Sequence, residues 1–384
     1  MMYAFFLEDV MDEIIVKQIT VKEIKNFLKL AFNIYKNDPN WVPPLYMDKL
    51  KILNKYKNPF FKDGNNDMEL FIAYINNKPV GRIAAIKNVT HNEVHNDNVG
   101  FFGFFESIND QQVANKLLDT AKDWLKKNGF SAMRGPANPT VNDEYGLLID
   151  GFDDTPRLLM TYNPKYYLDL FDNYGLKKAK DLYAYDIQNS EMSKNEKIKR
   201  VAEIVRKRYN ITIRSVDMKN FQHELDIFKM VYNKSWAANW GFVPMSDAEI
   251  DAAAKDLKPL IKPDFVFFAE INGEPIGAVL AMPDYNQIFK TMKGRLFPLQ
   301  FLKLYTQKKK MTWARIITLG VIPEHRNKGI DGLLYYECLV RAAKNGIYQG
   351  EASWILEDNL MMNRGAETMN GRIYKKYRIY EKEI

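Results

Sequence analysis

The chain has 384 residues, of which 46% are hydrophobic and 27% charged, a composition typical of a globular protein with two or three domains. Its single cysteine excludes an internal disulfide framework, and no apolar run approaches the roughly 18–20 residues that cross a bilayer. The net charge of +7 favours anionic ligands. The four histidines are scattered, so no metal site is predicted. The N-terminus lacks a basic segment, so we expect no signal peptide and a cytoplasmic location.

Hydrophobic periodicity predicts alternating strands and helices in the first half of the chain. The helix over 111–127 is the plainest, because Val113, Leu117, Ala121 and Trp124 share one of its faces. The predicted elements of this half are strand 14–19, helix 21–35, a short helix after Pro43-Pro44, a hairpin over 71–81, strand 99–105, helix 111–127, strand 132–134, helix 164–173 and strand 181–187.

The second half is predicted to repeat this order. Its elements are strand 211–216, helix 221–236, helix 246–257, a hairpin over 267–277, strand 313–321, helix 330–344, strand 351–356, helix 360–369 and strand 372–380. Two sequence echoes support the repeat: residues 71–81 resemble 267–277 around an Asn-Asn or Asn-Gly turn, and 40–43 resemble 239–244. Echoes in the same order predict two similar domains in tandem.

The segment from Arg326 to Gly332 follows a strand and opens a helix, which is the arrangement of an anion-binding site. Its spacing, Arg-x-x-Gly-x-Asp-Gly, resembles the acyl-CoA-binding motif of the GNAT (Gcn5-related N-acetyltransferase) superfamily, usually Arg/Gln-x-x-Gly-x-Gly/Ala. Asp331 departs from that motif. The resemblance implies an α/β (α+β) fold of two tandem GNAT-like domains, each a mixed, mostly antiparallel twisted sheet flanked by helices. The segments 37–45, 135–138 and 354–359 also resemble a group of bacterial proteins of about this length.

We place an N-terminal domain at 11–188 and a C-terminal domain at 200–384, and expect residues 1–10 to be a disordered extension. The first-half counterpart of the motif, 106–110, contains Glu106 and Asp110 and neither glycine nor a basic residue. Carboxylates would repel a pyrophosphate, and Asp110 can cap the following helix by itself. The first domain is therefore predicted to be degenerate and not to bind CoA.

The resemblance implies acetyl-CoA or another acyl-CoA as co-substrate, without a metal. The cofactor-binding residues that it implies are Leu319, Gly320, Val321, Arg326, Asn327, Lys328, Gly329, Ile330, Asp331, Gly332 and Asn359. In the family, a backbone N–H of the strand before the motif stabilises the oxyanion, and this strand separates from the next one so that pantetheine passes between them.

Removal of a proton from the acceptor amine needs a base, because an alkylammonium group has a pKa near about 10. Glu351 is the catalytic candidate, since it begins the strand after the motif helix, where family members often carry a carboxylate. Glu270 and Asp284 are weaker alternatives. Family members often use a tyrosine as the acid, but its position falls near Ala366 and Glu367. Three later tyrosines, Tyr374, Tyr377 and Tyr380, are interpreted as packing residues.

The predicted function is transfer of an acyl group from acyl-CoA to a small-molecule or peptide amine. Two alternatives stay open: a non-catalytic acyl-CoA or metabolite binder, and a Fem-type aminoacyltransferase. Segment 287–310, rich in lysine and apolar residues, could contact an anionic membrane surface, although we favour a solvated basic helix. No nucleic-acid motif accompanies the basic residues.

Overall fold

The structure, a computed structural model, describes residues 13–62, 65–190, 192–296, 300, 302–307 and 310–384. Residues 1–10, for which we expected a disordered extension, lie outside this range. The first half contains β1 (Ile14–Gln18), α1 (Ile24–Ile34), α2 (Tyr46–Ile52), β2 (Asp67–Ile75), β3 (Lys78–Lys87), α3 (Val89–His95), β4 (Val99–Ser107), α4 (Gln111–Lys127), β5 (Ala132–Gly135), β6 (Leu147–Asp150), α5 (Tyr167–Tyr174) and β7 (Lys177–Gln188).

The second half has the same order of main elements. It contains α6 (Glu196–Arg208), β8 (Ile211–Ser215), α7 (Phe221–Trp236), α8 (Asp247–Leu257), β9 (Val266–Ile271), β10 (Glu274–Pro283), α9 (Asn286–Met292), α10 (Leu302–Thr306), β11 (Trp313–Val321), α11 (Ile330–Lys344), β12 (Gln349–Leu356), α12 (Leu360–Thr368) and β13 (Gly371–Glu383).

The two predicted hairpins have the same backbone turn. Asn76 and Asn77 have φ angles of 49° and 61°, and Asn272 and Gly273 have 53° and 83°. Positive φ at both central positions is the geometry of a type I′ turn, which matches the twist of the flanking strands. The sequence echo is therefore also an echo in structure.

All strands of the described chain join one sheet. Its order is β1-β2-β3-β4-β5-β13-β7-β12-β11-β10-β9-β8, with β6 beside β13. The last strand of each half thus lies in the other half: β13 pairs with β5 of the first half, and β7 pairs with β12 of the second. We had expected 181–187 to complete the first half. The exchange corrects that expectation, and β7 and β13 pair antiparallel at the centre of the sheet.

Each face of the sheet has its own layer of helices. On the outer face, α4 covers the first half and α11 the second, each over its own core. On the inner face, α1 packs on the first half and α7 on β10 and β11. The inner core contains Phe27 of α1 together with Tyr377 and Ile379 of β13, and Trp354 and Tyr374 pack against it. One core therefore unites residues of both halves.

Beyond Ile316, β11 separates from its parallel neighbour β12. The two strands pair from Trp313 with Gln349 to Ile316 with Ala352, and they make no further pair although both are described throughout. The remainder of β11, from Thr318 to Val321, stays paired with β10. A V-shaped gap therefore opens between β11 and β12, on the side that leads to α11.

The exchanged strands predict that both halves unfold together. Ile379, on β13, is 0% exposed in the inner core, so Ile379→Ala should cost about 2–5 kcal/mol and lower a single calorimetric transition. Ile373→Ala, at a 40% exposed position of the same strand, is the matched control and should change stability by under about 0.5 kcal/mol. Two separate transitions, of which Ile379→Ala moves only one, would contradict the shared core.

Candidate active site

The start of α11 is built from backbone in unusual conformations. Asn327 and Gly329 have φ angles of 59° and 75°, and Gly329 is the N-cap residue, which makes no side-chain capping bond. A Cβ atom at Gly329 would lie 3.2 Å from Val205 of α6, whereas a Cβ at Gly332 would meet nothing within 4 Å. The first N–H groups of α11 thus receive no side-chain cap from Gly329, and they lie at the positive end of the helix dipole.

Arg326 fixes this loop in place. Its Nε donates to the carbonyl oxygen of Val321 at 3.2 Å, and its Nη2 donates to the carbonyl oxygen of Ser235 in α7. Lys328 donates to the carbonyl oxygen of Glu324 at 3.1 Å. Both cations thus contribute positive charge at the loop while their donors hold the backbone. Asp331 lies half-buried in the first turn of α11, where a carboxylate interacts favourably with the helix dipole.

The strand before the loop is held on both faces. Leu319 and Val321 are buried in the core under α11, together with Ile330. Gly320 faces α7, and a Cβ there would lie 2.4 Å from the ring of Trp236. Only glycine allows this close approach. The strand edge at the gap is therefore fixed in position from both sides.

Asn359 has a local role in the described structure. It is the N-cap of α12, and its Oδ1 accepts a hydrogen bond from the backbone N–H of Met362 at 3.2 Å. Such a cap satisfies a backbone donor that has no partner within the helix.

Glu351 lies at the centre of a buried polar cluster on the inner face and is 0% exposed. Its Oε1 accepts from the hydroxyl of Ser353 at 2.6 Å and lies 3.3 Å from Nε of Arg315, the residue opposite it on β11. Its Oε2 accepts a hydrogen bond from the hydroxyl of Tyr374. The carboxylate is therefore buried and has both charged and neutral donors.

Tyr374 is a residue that sequence reasoning missed. We interpreted it as a packing residue because it lies on the last strand, too far along the chain for the usual family acid. The exchange of β13 and a register shift between Ile373 and Lys375 bring its hydroxyl to Glu351. Tyr374 is only half-buried, so it connects the buried carboxylate with the surface. Burial, and next the charge of Glu351, raise the pKa of Tyr374, which keeps its hydroxyl protonated.

The first half supplies one wall of this cluster. The carbonyl oxygen of Leu158 accepts from Nη1 of Arg315 at 2.7 Å, and the N–H of Leu158 donates to Oδ1 of Asp284 at 2.9 Å. The guanidinium of Arg157 lies 3.7 Å from the ring centre of Trp313. We call residues 150–160 the cover segment. It belongs to the first half in sequence and completes a site on the second half.

The weaker base candidates are engaged in structural contacts. Asp284 is 0% exposed and accepts from the backbone N–H of Leu158 and of Asn286. Burial raises the pKa of Asp284 to about 6, against the lowering effect of Arg157. Glu270 accepts from Nε of Arg214 at 2.6 Å on β9, two strands away from β11.

The corresponding gap in the first half is filled. Beyond the last β4–β5 pair, Phe101 with Arg134, the N–H of Ala137 still donates to Phe102 at 2.9 Å. The side chain of Asn138 accepts from the N–H of Phe104. At the helix that follows, Asp110 accepts from the N–H groups of Gln112 and Val113. The backbone donors of this half that correspond to a cofactor cradle thus have partners within the chain.

The basic segment 287–310 is partly described. Lys290 of α9 donates to Thr155 of the cover segment at 2.8 Å, and Lys303 of α10 donates to the carbonyl oxygen of Thr291 at 2.8 Å. Phe297, Phe301, Lys308 and Lys309 lie outside the described residues. Among the helices of the described chain, none combines the length and apolarity required to cross a bilayer.

The raised pKa of Asp284 has a consequence for stability. Between about pH 4 and 6 the folded protein holds a proton on Asp284 that the unfolded chain has lost, so the free energy of unfolding falls as pH rises through this range. Asp284→Asn keeps a carbonyl oxygen and does not titrate. Relative to wild type, the variant should gain up to about 3 kcal/mol between pH 4 and 7.5, measured by urea unfolding.

Asp153→Asn, an exposed position of the cover segment, controls for the loss of one negative charge. A stability difference between wild type and Asp284→Asn that stays constant from pH 4 to 7.5 would contradict the raised pKa.

Comparison with known proteins agrees with this architecture. The sequence profile of the acetyltransferase (GNAT) family matches residues 229–362, from within α7 to the start of α12. Protein YghO of Escherichia coli is 33% identical over 371 residues, covering 94% of this chain and 93% of YghO. The bacterial ceramide synthase of Caulobacter vibrioides is 33% identical over 379 residues, covering 95% of this chain and 96% of that protein.

A solved tandem GNAT protein from the clavulanic acid biosynthesis pathway shares the fold. It aligns over 97% of this chain and 98% of its own length with a TM-score of 0.57, at 9% sequence identity. The open gap beside α11, the match to the family profile and the full-length relatives together identify the protein: the chain belongs to the GNAT superfamily, in a group of tandem-domain proteins of about 380 residues with bacterial members.

Proposed function

We propose that the protein is an acyl-CoA-dependent N-acyltransferase whose second half holds the donor and whose acceptor is a long-chain amino alcohol. The observation that carries the donor assignment is the open gap between β11 and β12, which leads to the uncapped N-terminus of α11. The residues fit a CoA ester: backbone N–H groups from Asn327 to Gly332 would hold the pyrophosphate, and the free edge of β11 would hold pantetheine.

The acceptor class is inferred from a relative. A ceramide is the amide of a fatty acid and a long-chain amino alcohol, and the bacterial ceramide synthase is 33% identical over nearly the whole of both chains. The amine of such an acceptor reaches the reaction as an ammonium ion, so it must lose a proton before it can attack the thioester.

The Glu351 cluster supplies a route for that proton. We infer that the ammonium gives a proton to the oxygen of Tyr374 while Tyr374 passes its own proton to Glu351. The free amine attacks the carbonyl carbon, the C–S bond breaks, and the CoA thiolate takes a proton from Tyr374, which Glu351 replaces. The nitrogen of the tetrahedral intermediate loses its second proton to water, so the products are an amide, a thiol and one proton in solution, and charge is conserved. Arg315 offsets the cost of burying the Glu351 carboxylate.

Donor binding is tested by a charge placed where the structure has room. Gly332→Glu adds a carboxylate in the first turn of α11 without a clash at Cβ, so the fold should persist. Saturating palmitoyl-CoA should raise the melting temperature of the wild type by several degrees, since ligand at about 100 times its Kd adds about 2.7 kcal/mol. The variant should lose most of this rise, because its carboxylate would repel the pyrophosphate.

Lys344→Gln gives the same change in net charge at the opposite end of α11 and should keep the rise. An equal rise in Gly332→Glu and Lys344→Gln would place the donor elsewhere and contradict the cradle.

The proton route is tested with two substitutions, because Glu351→Gln also leaves Arg315 without its charged partner and should cost about 3–5 kcal/mol of stability. Tyr374→Phe keeps the ring and leaves the ion pair intact. Each should lower kcat by about 10²–10⁴-fold, with a smaller change in the KM for palmitoyl-CoA, in an assay of amide formation.

Palmitoyl-CoA binding without turnover in the wild type would favour a non-catalytic binder. Full activity of Tyr374→Phe would remove Tyr374 from the route and leave Glu351 to be tested by its own variant. The aminoacyltransferase alternative would instead be favoured if palmitoyl-CoA gave no product while an aminoacyl-tRNA served as donor.

A further inference from the structure

Two buried hydrogen-bond donors beside the Glu351 cluster have no partner among the residues that the structure describes. They are Nε1 of Trp354 and the hydroxyl of Tyr377, whose rings meet edge to face with centroids 6.0 Å apart. Most buried polar groups of folded proteins are hydrogen-bonded, and each exception has a free-energy cost that calls for an explanation. The two donors belong to side chains whose rings contact each other.

Trp354 lies at the point where the gap between β11 and β12 begins. Trp354 is on β12, two residues beyond Ala352, which makes the last pair with β11, so it follows directly on the point where the strands separate. The guanidinium of Arg315 lies 5.6 Å from the centre of the Trp354 ring. Tyr377 is on β13 and 0% exposed. Burial and then the charge of Glu351 raise the pKa of Tyr377, which keeps its hydroxyl protonated.

The chemistry of the two groups limits what can bind between them. An indole N–H can only donate, and a protonated phenol presents its O–H to any nearby acceptor. Arg315 adds positive charge on the same side. A cation would find no ligand in the indole N–H and would be repelled by the guanidinium. The matching ligand atom is an oxygen with partial or full negative charge and a free lone pair.

We propose that Trp354 and Tyr377 form a two-donor site for one oxygen atom of the substrate, either the carbonyl oxygen of the thioester or a hydroxyl oxygen of the acceptor. This inference rests on the proposed acyltransferase function. When the amine attacks, the π electron pair of the thioester carbonyl moves to its oxygen, and it returns as the C–S bond breaks and the thiolate leaves. Donors held in place without a partner stabilise such an oxyanion without reorganisation.

The experiment removes each donor: Tyr377→Phe keeps the ring and loses only the hydroxyl, whereas Trp354→Phe loses the N–H and replaces the indole by a smaller ring. Trp354→Phe and Tyr377→Phe are compared with Trp124→Phe, on α4 of the first half, and with Tyr183→Phe, which packs against the outer core under α11. For each protein, kcat, KM, the melting temperature without ligand and the affinities for CoA and palmitoyl-CoA are measured. Acceptors are a long-chain 2-amino-1,3-diol and the matching 1-aminoalkane without hydroxyl groups.

We expect kcat for the aminodiol to fall by about 10²–10³-fold in Trp354→Phe and in Tyr377→Phe, as for other donors to a developing oxyanion. The melting temperature should stay equal or rise in Tyr377→Phe, because a buried donor without a partner has been removed. In Trp354→Phe it should fall by no more than in Trp124→Phe, because both variants lose the same ring volume. CoA affinity should not change. If the loss is equal with the aminoalkane, the oxygen is that of the thioester; if the loss disappears with the aminoalkane, the oxygen is a hydroxyl of the acceptor. Both control variants should retain wild-type kcat.

Two results would overturn the proposal. The first is a kcat within about twofold of wild type in both variants. The second is a fall in kcat that comes with weaker CoA binding and with a larger fall in melting temperature than in the matching control variant. A wild type that binds palmitoyl-CoA without turnover would refute the proposed function separately. The donor site would then be judged by binding alone, supported if the variants bind palmitoyl-CoA more weakly while CoA affinity is unchanged, and refuted if both affinities match wild type. Absence of palmitoyl-CoA binding would refute both.

Discussion

The exchange of β7 and β13 is the constraint on which the rest of the structure depends. Because each half receives its last strand from the other, the chain has one sheet and an inner core shared by both halves. The same exchange brings Tyr374 and Tyr377 of β13 close to β12, and it lets the cover segment of the first half lie against Arg315 and Asp284. A polar cluster with no counterpart in a single repeat results from this connectivity.

The two halves show how one architecture can be open or closed at the same place. In the second half, β11 and β12 separate and α11 starts at a glycine without a side-chain cap. In the first half, Asn138 bonds Phe104 and Asp110 caps α4, so the corresponding donors already have partners. The first half, whose backbone donors have partners, carries the cover segment and pairs with β13. The second half retains the gap between β11 and β12 and a helix start without a side-chain cap, which supports the proposal that it alone holds the acyl-CoA.

Sequence reasoning reached the features that depend on local patterns. Helix 330–344 was predicted with the bounds of α11, and the two hairpin turns were predicted from their Asn-Asn and Asn-Gly pairs, since periodicity and turn chemistry are encoded within a few residues. It failed where contacts join distant parts of the chain. The strand exchange, the burial of Glu351 and the contact of Tyr374 with Glu351 depend on which strands become neighbours, and no local pattern specifies that. The family resemblance supplied Glu351 as a candidate but could not supply its partners.

The central claim is that acyl-CoA binds only to the second half, in the gap that ends at α11. Hydrogen exchange with and without saturating palmitoyl-CoA tests it most directly, because backbone N–H groups that contact the donor become protected. The account predicts protection across 317–333 and 353–361, with no change across the corresponding first-half segment 103–114. Protection of 103–114, or protection of neither segment while binding is demonstrated by calorimetry, would contradict it.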